Sequence, residues 1–254
     1  MIVSFIGSGN VATHLATRFA KAGHTILFVY SERPANARRL AKKVKAKATT
    51  KISDTLQADI VIIAVHDDAI AEVVNNMPAS RCLVVHTSGA EPLSLLRKKL
   101  TNCGVLYPVQ TFSIHSPTPL TIPFCLEASN AASLSVIKKL ARSVSQDVQV
   151  MNSKKRKQVH LAAVFVNNFS NHLLAIAEEL LKHEHLKLKL LQPLLEETIS
   201  KTGKQSPSKI QTGPAARGDQ QTMQEHIRML KKHKGFLSIY KAISDSIGSK
   251  GRNR

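Results

Sequence analysis

The sequence predicts an α/β protein: a doubly wound, parallel sheet with helices on both faces over residues 1–150, followed by an all-α domain over residues 151–254. Three observations carry this. Apolar, β-rich runs alternate with amphipathic stretches rich in Ala, Leu and Lys through the first half, the pattern of repeated βα units. The run Asp59-Ile60-Val61-Ile62-Ile63-Ala64-Val65 is apolar on both faces of a strand, which fits a central parallel strand and not a sheet wetted on one side. Beyond about residue 150 the β signal disappears and helical periodicity takes over.

Taken in order, strands are expected at 2–6, 25–30, 44–48, 60–65, 82–87, 103–107 and 123–127, with helices near 10–22, 34–44, 67–76, 91–100 and 130–144. Ser153 is the expected cap of a long buried helix reaching about residue 183, with Val159, Ala163, Phe165, Val166, Phe169, Leu173, Ile176 and Leu180 as its apolar positions. Further helices are expected at 186–202, 219–233 and 235–247, with a loop rich in Pro, Gly and Ser from Lys204 to Arg217 and a frayed tail at 249–254.

The chain has 254 residues, 43% of them apolar, with 11 Gly and 10 Pro, so it can bury a sizeable core and is neither disordered nor collagen-like. No run of about 18 uninterrupted apolar residues occurs and no signal-like leader opens the sequence, so a soluble, cytoplasmic protein is expected. Cys82, Cys103 and Cys125, odd in number and set in apolar runs, read as buried free thiols. The net charge of +19 is spread over both halves and attracts polyanions without any specific site. With 4% aromatic residues, no Trp and no DNA-binding motif, the sequence disfavours a nucleic-acid partner.

The first strand runs into Gly7-Ser8-Gly9-Asn10-Val11-Ala12, a G-x-G-x-x-A turn opening a helix. The first glycine makes the tight turn and the second lets backbone approach a pyrophosphate. The small third residue lets helix and strand pack, while the helix N-terminus offers N–H groups and partial positive charge. Placed between strand and helix in a βαβ unit, the motif reads as a Rossmann dinucleotide site. At the end of the second strand, Ser31 and Arg33, followed by Arg38, Arg39, Lys42 and Lys43, suit a ribose 2′-phosphate and favour NADP. Glu32 is the dissenting residue, able to reach a ribose hydroxyl.

Ligands of open α/β sheets lie at the carboxyl ends of the strands. There Val65 and His66 would pass beside the nicotinamide ribose, while Asp67 or Asp68 equally reads as a helix cap. Thr87, Ser88 and Gly89 form a polar turn suited to a substrate carboxylate or carbonyl, and Gln110 and Thr111 end the next strand on the same edge. On the long helix, at about 100° per residue, Asn167 and Asn171 each fall within about 20° of His160. Such a polar seam on an apolar helix reads either as a satisfied interhelical network or as the wall of a polar cavity. Gln211-Thr212-Gly213-Pro214-Ala215-Ala216-Arg217-Gly218-Asp219 is a second polar cluster, with Arg217 as anion clamp and Asp219 as helix cap. No metal is expected, since His183 and His185 show no zinc-type arrangement with Cys or carboxylate.

With GSGNVATHLA, HTSGA, YPVQTFS, HLAAVFVNNFSNHL, PLLEETI and QTGPAARGD in this order, the chain resembles a two-domain bacterial family. Its members are Rossmann-like proteins with a C-terminal domain of unknown function, often labelled NADP oxidoreductases dependent on the deazaflavin coenzyme. The resemblance implies an NADP(H)-binding domain joined to a helical domain similar to those of 6-phosphogluconate, β-hydroxyacid and pyrroline-5-carboxylate reductase-type enzymes, which dimerise through it. Those relatives often use a lysine and an asparagine on the first long helix of the second domain; here that helix offers Lys157, His160, Asn167 and Asn168. The expected activity is hydride transfer between NADPH and a small polar carbonyl, imine or hydroxy compound. In it His160 serves as proton donor or acceptor, Asn167 and Asn171 orient substrate, and Thr87, Ser88 and Arg217 bind it. The alternative is a non-catalytic NADP-binding sensor or scaffold.

Overall fold

The computed structural model describes residues 1–113 and 121–251. By backbone contacts the chain divides into two compact units, Met1–Asn168 and Phe169–Arg254.

The first unit is built as β1 (Ile2–Ile6), α1 (Asn10–Lys21), β2 (Thr25–Tyr30), α2 (Pro34–Val44), β3 (Lys47–Thr49), α3 (Ile52–Thr55), β4 (Ile60–Ile63), α4 (Ile70–Asn76), β5 (Leu83–His86) and α5 (Ser94–Arg97). It continues with β6 (Cys103–Pro108), β7 (Phe124–Ala128), α6 (Ala131–Arg142), β8 (Val148–Val150) and α7 (Ser153–Ala163). The eight strands form one sheet in the order β3-β2-β1-β4-β5-β6-β7-β8. On one face Phe5, Ile60 and Ile62 pack with Leu15 and Phe19 of α1, Leu40 of α2 and Leu140 of α6. On the other, Ile6, Val61 and Ile63 pack with Ile70, Val74, Met77 and Leu96. Each such side chain contributes about 1.5–3 kcal/mol by leaving water. Both faces of β4 are therefore core, as its unbroken apolar run requires. Cys103 and Cys125 are buried, Cys82 is half-buried, and all three are free thiols.

Several expectations are corrected. The sheet is not wholly parallel: β7 runs antiparallel to β6, with Pro108 opposite Phe124. A parallel neighbour needs a crossover, usually helical, and the sequence between these strands has no helical pattern. The edge strand β8 and the short α3 were not anticipated, and the helix expected at 91–100 contracts to Ser94–Arg97. Asn152, not Ser153, caps α7, its side chain accepting from the Lys155 N–H at 3.0 Å. The Ser153 hydroxyl instead accepts from the Leu93 N–H and donates to Glu127.

The second unit is helical: α8 (Ser170–His183), α9 (Gln192–Thr202), α10 (Pro214–Arg217), α11 (Gln220–Met229) and α12 (Lys234–Gly251), with 3₁₀ turns at Leu188–Leu191 and Leu230–Lys232. Asp219 caps α11 as expected, accepting from the Thr222 N–H, a bond that holds its carboxyl below the usual range. The last helix runs to Gly251, so residues 249–251 are helical where a frayed tail was expected.

Between α7 and α8, Val164–Phe169 is π-helical. The wider turn breaks the ideal 100° projection that aligned Asn167 and Asn171 with His160. Nor is this helix buried: Val166 is 77% exposed, and Asn167 and Asn171 are exposed. The continuous helix Ser153–His183 contains an 18-residue window of mean hydropathy 1.2, apolar and long enough by composition alone to cross a bilayer. Its apolar side chains, among them Leu161, Phe165, Val166, Phe169, Leu173 and Leu180, are exposed.

Candidate nucleotide and catalytic site

The Gly7 turn is fixed by its neighbours. Gly7 has φ +111°, and a Cβ there would lie 2.2 Å from the Ala64 carbonyl oxygen at the end of β4, so only glycine fits. Its N–H donates to the Tyr30 carbonyl at 2.9 Å, which ties the turn to the end of β2 and brings Ser31 to the same edge. Gly9 precedes α1, with open space where its Cβ would be and no side chain capping the helix. The first turn of α1 contains no acidic residue. An uncapped, acid-free helix N-terminus behind a glycine turn fits a pyrophosphate.

The remaining expected cofactor residues surround this cradle. Ser8 and Val11 are half-buried, Arg33 is exposed at the start of α2, and Val65 lies against Gly7 while His66 is exposed. Asn10 has a further use: its amide donates to the Phe112 carbonyl at 3.0 Å. One turn on, His14 is buried, stacks on Phe112 and bonds the Ser113 carbonyl at 2.8 Å. Together they moor the segment after β6 to α1. The sequence reading passed over His14; its i, i+4 spacing from Asn10 was the available signal.

At the carboxyl end of β5 the turn is largely self-satisfied. The Ser88 N–H donates to His86 Nδ1 at 3.1 Å, and the Ser88 hydroxyl accepts from the N–H groups of Ala90 and Glu91. Thr87 donates to the Ile63 carbonyl. Gln110 donates to the Thr121 carbonyl and accepts from the Thr111 N–H, while Thr111 is exposed. Burial, and then the charge of Arg156, push His86 down to about 3, so it is neutral at physiological pH. Since Nδ1 accepts from Ser88, the proton sits on Nε2.

His160 lies at the same edge of this unit. Its Nδ1 is 3.2 Å from the Tyr107 hydroxyl and the two rings meet edge to face. A Cβ at position 89 would lie 2.8 Å from both His160 and the Tyr107 ring, so Gly89 is the backbone on which the pair rests. Burial first, then Cys125 and Asp67, raise the Tyr107 phenol and keep it protonated. One turn before His160, Arg156 is completely buried, paired with Glu127 and donating to the Glu91 carbonyl at 2.6 Å. Nothing in the sequence sets Arg156 apart within the Lys154-Lys155-Arg156-Lys157 run, whose other members are exposed. In the second unit Arg217 is exposed at the end of α10, and His226 bonds the Tyr240 hydroxyl at 3.0 Å.

A glycine-turn cradle at the head of a sheet whose order contains 3-2-1-4-5-6 defines a dinucleotide-binding Rossmann domain. Comparison with known proteins agrees. Residues 2–88 match the family model "NADP oxidoreductase coenzyme F420-dependent" and residues 122–247 match a domain of unknown function, DUF2520. A Bacteroides fragilis protein provisionally named an NADP oxidoreductase is 37% identical in sequence, with 98% of each chain covered and a TM-score of 0.91. A Thermotoga maritima protein is 25% identical over 99% of this chain and 98% of its own, with a TM-score of 0.72. The Plasmodium falciparum pyrroline carboxylate reductase, solved with NADP bound, shares the fold at 16% identity and a TM-score of 0.61, covering 99% of this chain and 98% of its own. No curated protein sequence matches. The chain belongs to the family in which an NADP oxidoreductase Rossmann domain precedes the DUF2520 domain. NADP is the nucleotide of that domain.

Proposed function

We propose that the protein transfers hydride between NADPH and a small polar carbonyl, imine or hydroxy compound, as a cytoplasmic homodimer. The observation that carries this is the His160–Tyr107 pair lying on Gly89 at the carboxyl edge of the sheet. The Gly7–Val11 turn would hold NADPH, with Ser31 and Arg33 toward its 2′-phosphate, and the bound cofactor would supply the hydride. The chain itself supplies the proton. In the reductive direction imidazolium His160 gives the Nε2 proton to the substrate oxygen or nitrogen, and its Nδ1–H stays on the Tyr107 oxygen. In the oxidative direction neutral His160 accepts at Nε2. Arg156 and Glu127 fix the start of α7 and so the placement of His160 one turn later. The dimer reading is supported by large apolar side chains left in solvent, among them Val166, Leu190, Leu194 and Ile199.

The test is NADPH oxidation across oxo acids, imines and aldehydes, with NADH as control. His160→Ala should lower turnover by about 10²–10⁴ while leaving NADPH affinity nearly unchanged. Unchanged turnover would remove His160 from the mechanism. The non-catalytic sensor draws on a different observation, that Thr87, Ser88 and Gln110 each spend polar groups inside the protein. NADPH binding with no turnover on any of the panel would favour it.

A further inference from the structure

We propose that the helical unit carries a binding site for a divalent first-row transition metal ion, formed by Glu179, His183 and His233. One ligand atom from each lies within 4.8 Å of the other two. Glu179 and His183 are one turn apart on α8, so helix geometry places carboxylate and imidazole on one face. His233 stands between the 3₁₀ turn Leu230–Lys232 and α12, with its backbone N–H bonded to Leu230 and its carbonyl accepting from Leu237. Its ring stacks on Phe236 at 5.3 Å and meets the His183 ring at 5.5 Å. Two imidazoles converge here instead of dispersing into solvent. Among the described residues neither Glu179 nor His183 has a hydrogen-bond or ion-pair partner that would hold it elsewhere.

The donor set fixes the kind of ion. Two imidazole nitrogens and one carboxylate oxygen suit zinc and its neighbours, whereas calcium and magnesium want oxygen ligands throughout. With metal–ligand bonds of about 2.0–2.1 Å, tetrahedral ligand atoms stand roughly 3.3 Å apart. Closing to that spacing asks only for rotamer adjustment of the exposed Glu179 and His183. Three protein ligands leave one position for water or a further ligand. The expectation of no metal rests on the residues beside His183 and His185; Glu179 stands four residues before His183 and His233 fifty residues after it. His185 is not a member of the cluster.

Bound metal would clip the end of α8 to the start of α12. The experiment is calorimetric titration of tag-free, chelator-stripped full-length protein with Zn²⁺, repeated with Co²⁺ while recording visible absorption. Variants are Glu179→Gln, His233→Ala and, as control, His185→Ala. The expected result is one equivalent of Zn²⁺ bound with Kd of about 10 μM or tighter, weakened at least about tenfold by Glu179→Gln and by His233→Ala but not by His185→Ala. Co²⁺ should give a visible d–d band in the wild type that Glu179→Gln diminishes. Since Glu179 is exposed, that variant keeps the fold and isolates the ligand effect. Absence of one-to-one binding tighter than about 100 μM, or affinity that Glu179→Gln and His233→Ala leave unchanged, overturns the site.

Discussion

The sheet unit and the helical unit spend their apolar residues differently. In the first, Val3, Phe5, Leu15, Phe19, Ile62 and Leu140 are wholly buried, and both faces of the central strands are covered by the unit's own helices. In the second, among the described residues only Leu230 and Ser244 are buried, while Leu190, Leu194 and Ile199 are each more than 60% exposed. One unit closes its own core; the other displays an apolar surface of the kind that a partner covers. The contrast teaches that apolar periodicity announces a helix but not what it will be packed against.

The sharpest test of this contrast is the charge inside the first unit. Arg156→Ala leaves Glu127 without its cation and should cost about 3–5 kcal/mol in chemical denaturation. Arg156→Lys should recover only part, because an ammonium cannot span Glu127 and the Glu91 carbonyl as the planar fork does. A loss below 1 kcal/mol would mean that this unit is not closed around its polar centre. Next comes acid. The unfolded chain takes up a proton on His86 below about pH 6.5, whereas the folded protein refuses it until about pH 3. Stability therefore falls as pH drops through that window, by about 1.4 kcal/mol per pH unit from this group. Denaturation midpoints of His86→Asn should show a shallower decline between pH 6 and 4; identical slopes would remove His86 as the cause. Smaller again is Gly89→Ala, where the methyl must displace the His160 and Tyr107 rings, at about 1–3 kcal/mol. It should lower turnover more than NADPH affinity. The smallest effect is expected on the open surface of the second unit: Leu194→Ser, at a side chain 67% exposed, should change protomer stability by no more than about 0.5 kcal/mol while shifting sedimentation toward monomer. A core-sized loss there would erase the distinction between the two units.

How much of this was legible depended on how local each cause is. Strands β1 and β2 and helix α2 fall where periodicity puts them, because a strand between turn residues and Pro at the first helical position are signals contained in a few residues. The Gly7 turn was readable for the same reason. Strand β8, three residues with Gln149 in the middle, carries no such signal, and its existence rests on pairing with Phe124–Leu126. The antiparallel turn of β7 could have been inferred from the missing crossover. The seam failed at Val164–Phe169, where the helix widens and an ideal projection no longer applies. His160 drew notice through its projected alignment with Asn167 and Asn171 beside a dinucleotide-binding domain, an alignment the π-helical turn does not keep. Its partner Tyr107, 53 residues away, and Arg156, hidden among lysines, needed coordinates.

The absence of a side chain at position 89 also bears on how the family can diversify. Where two rings already stand 2.8 Å from the place a methyl would take, any larger residue must first move both of them, so this position should vary less than the neighbouring turn residues. Position 89 should stay glycine wherever the Tyr107–His160 pair is kept.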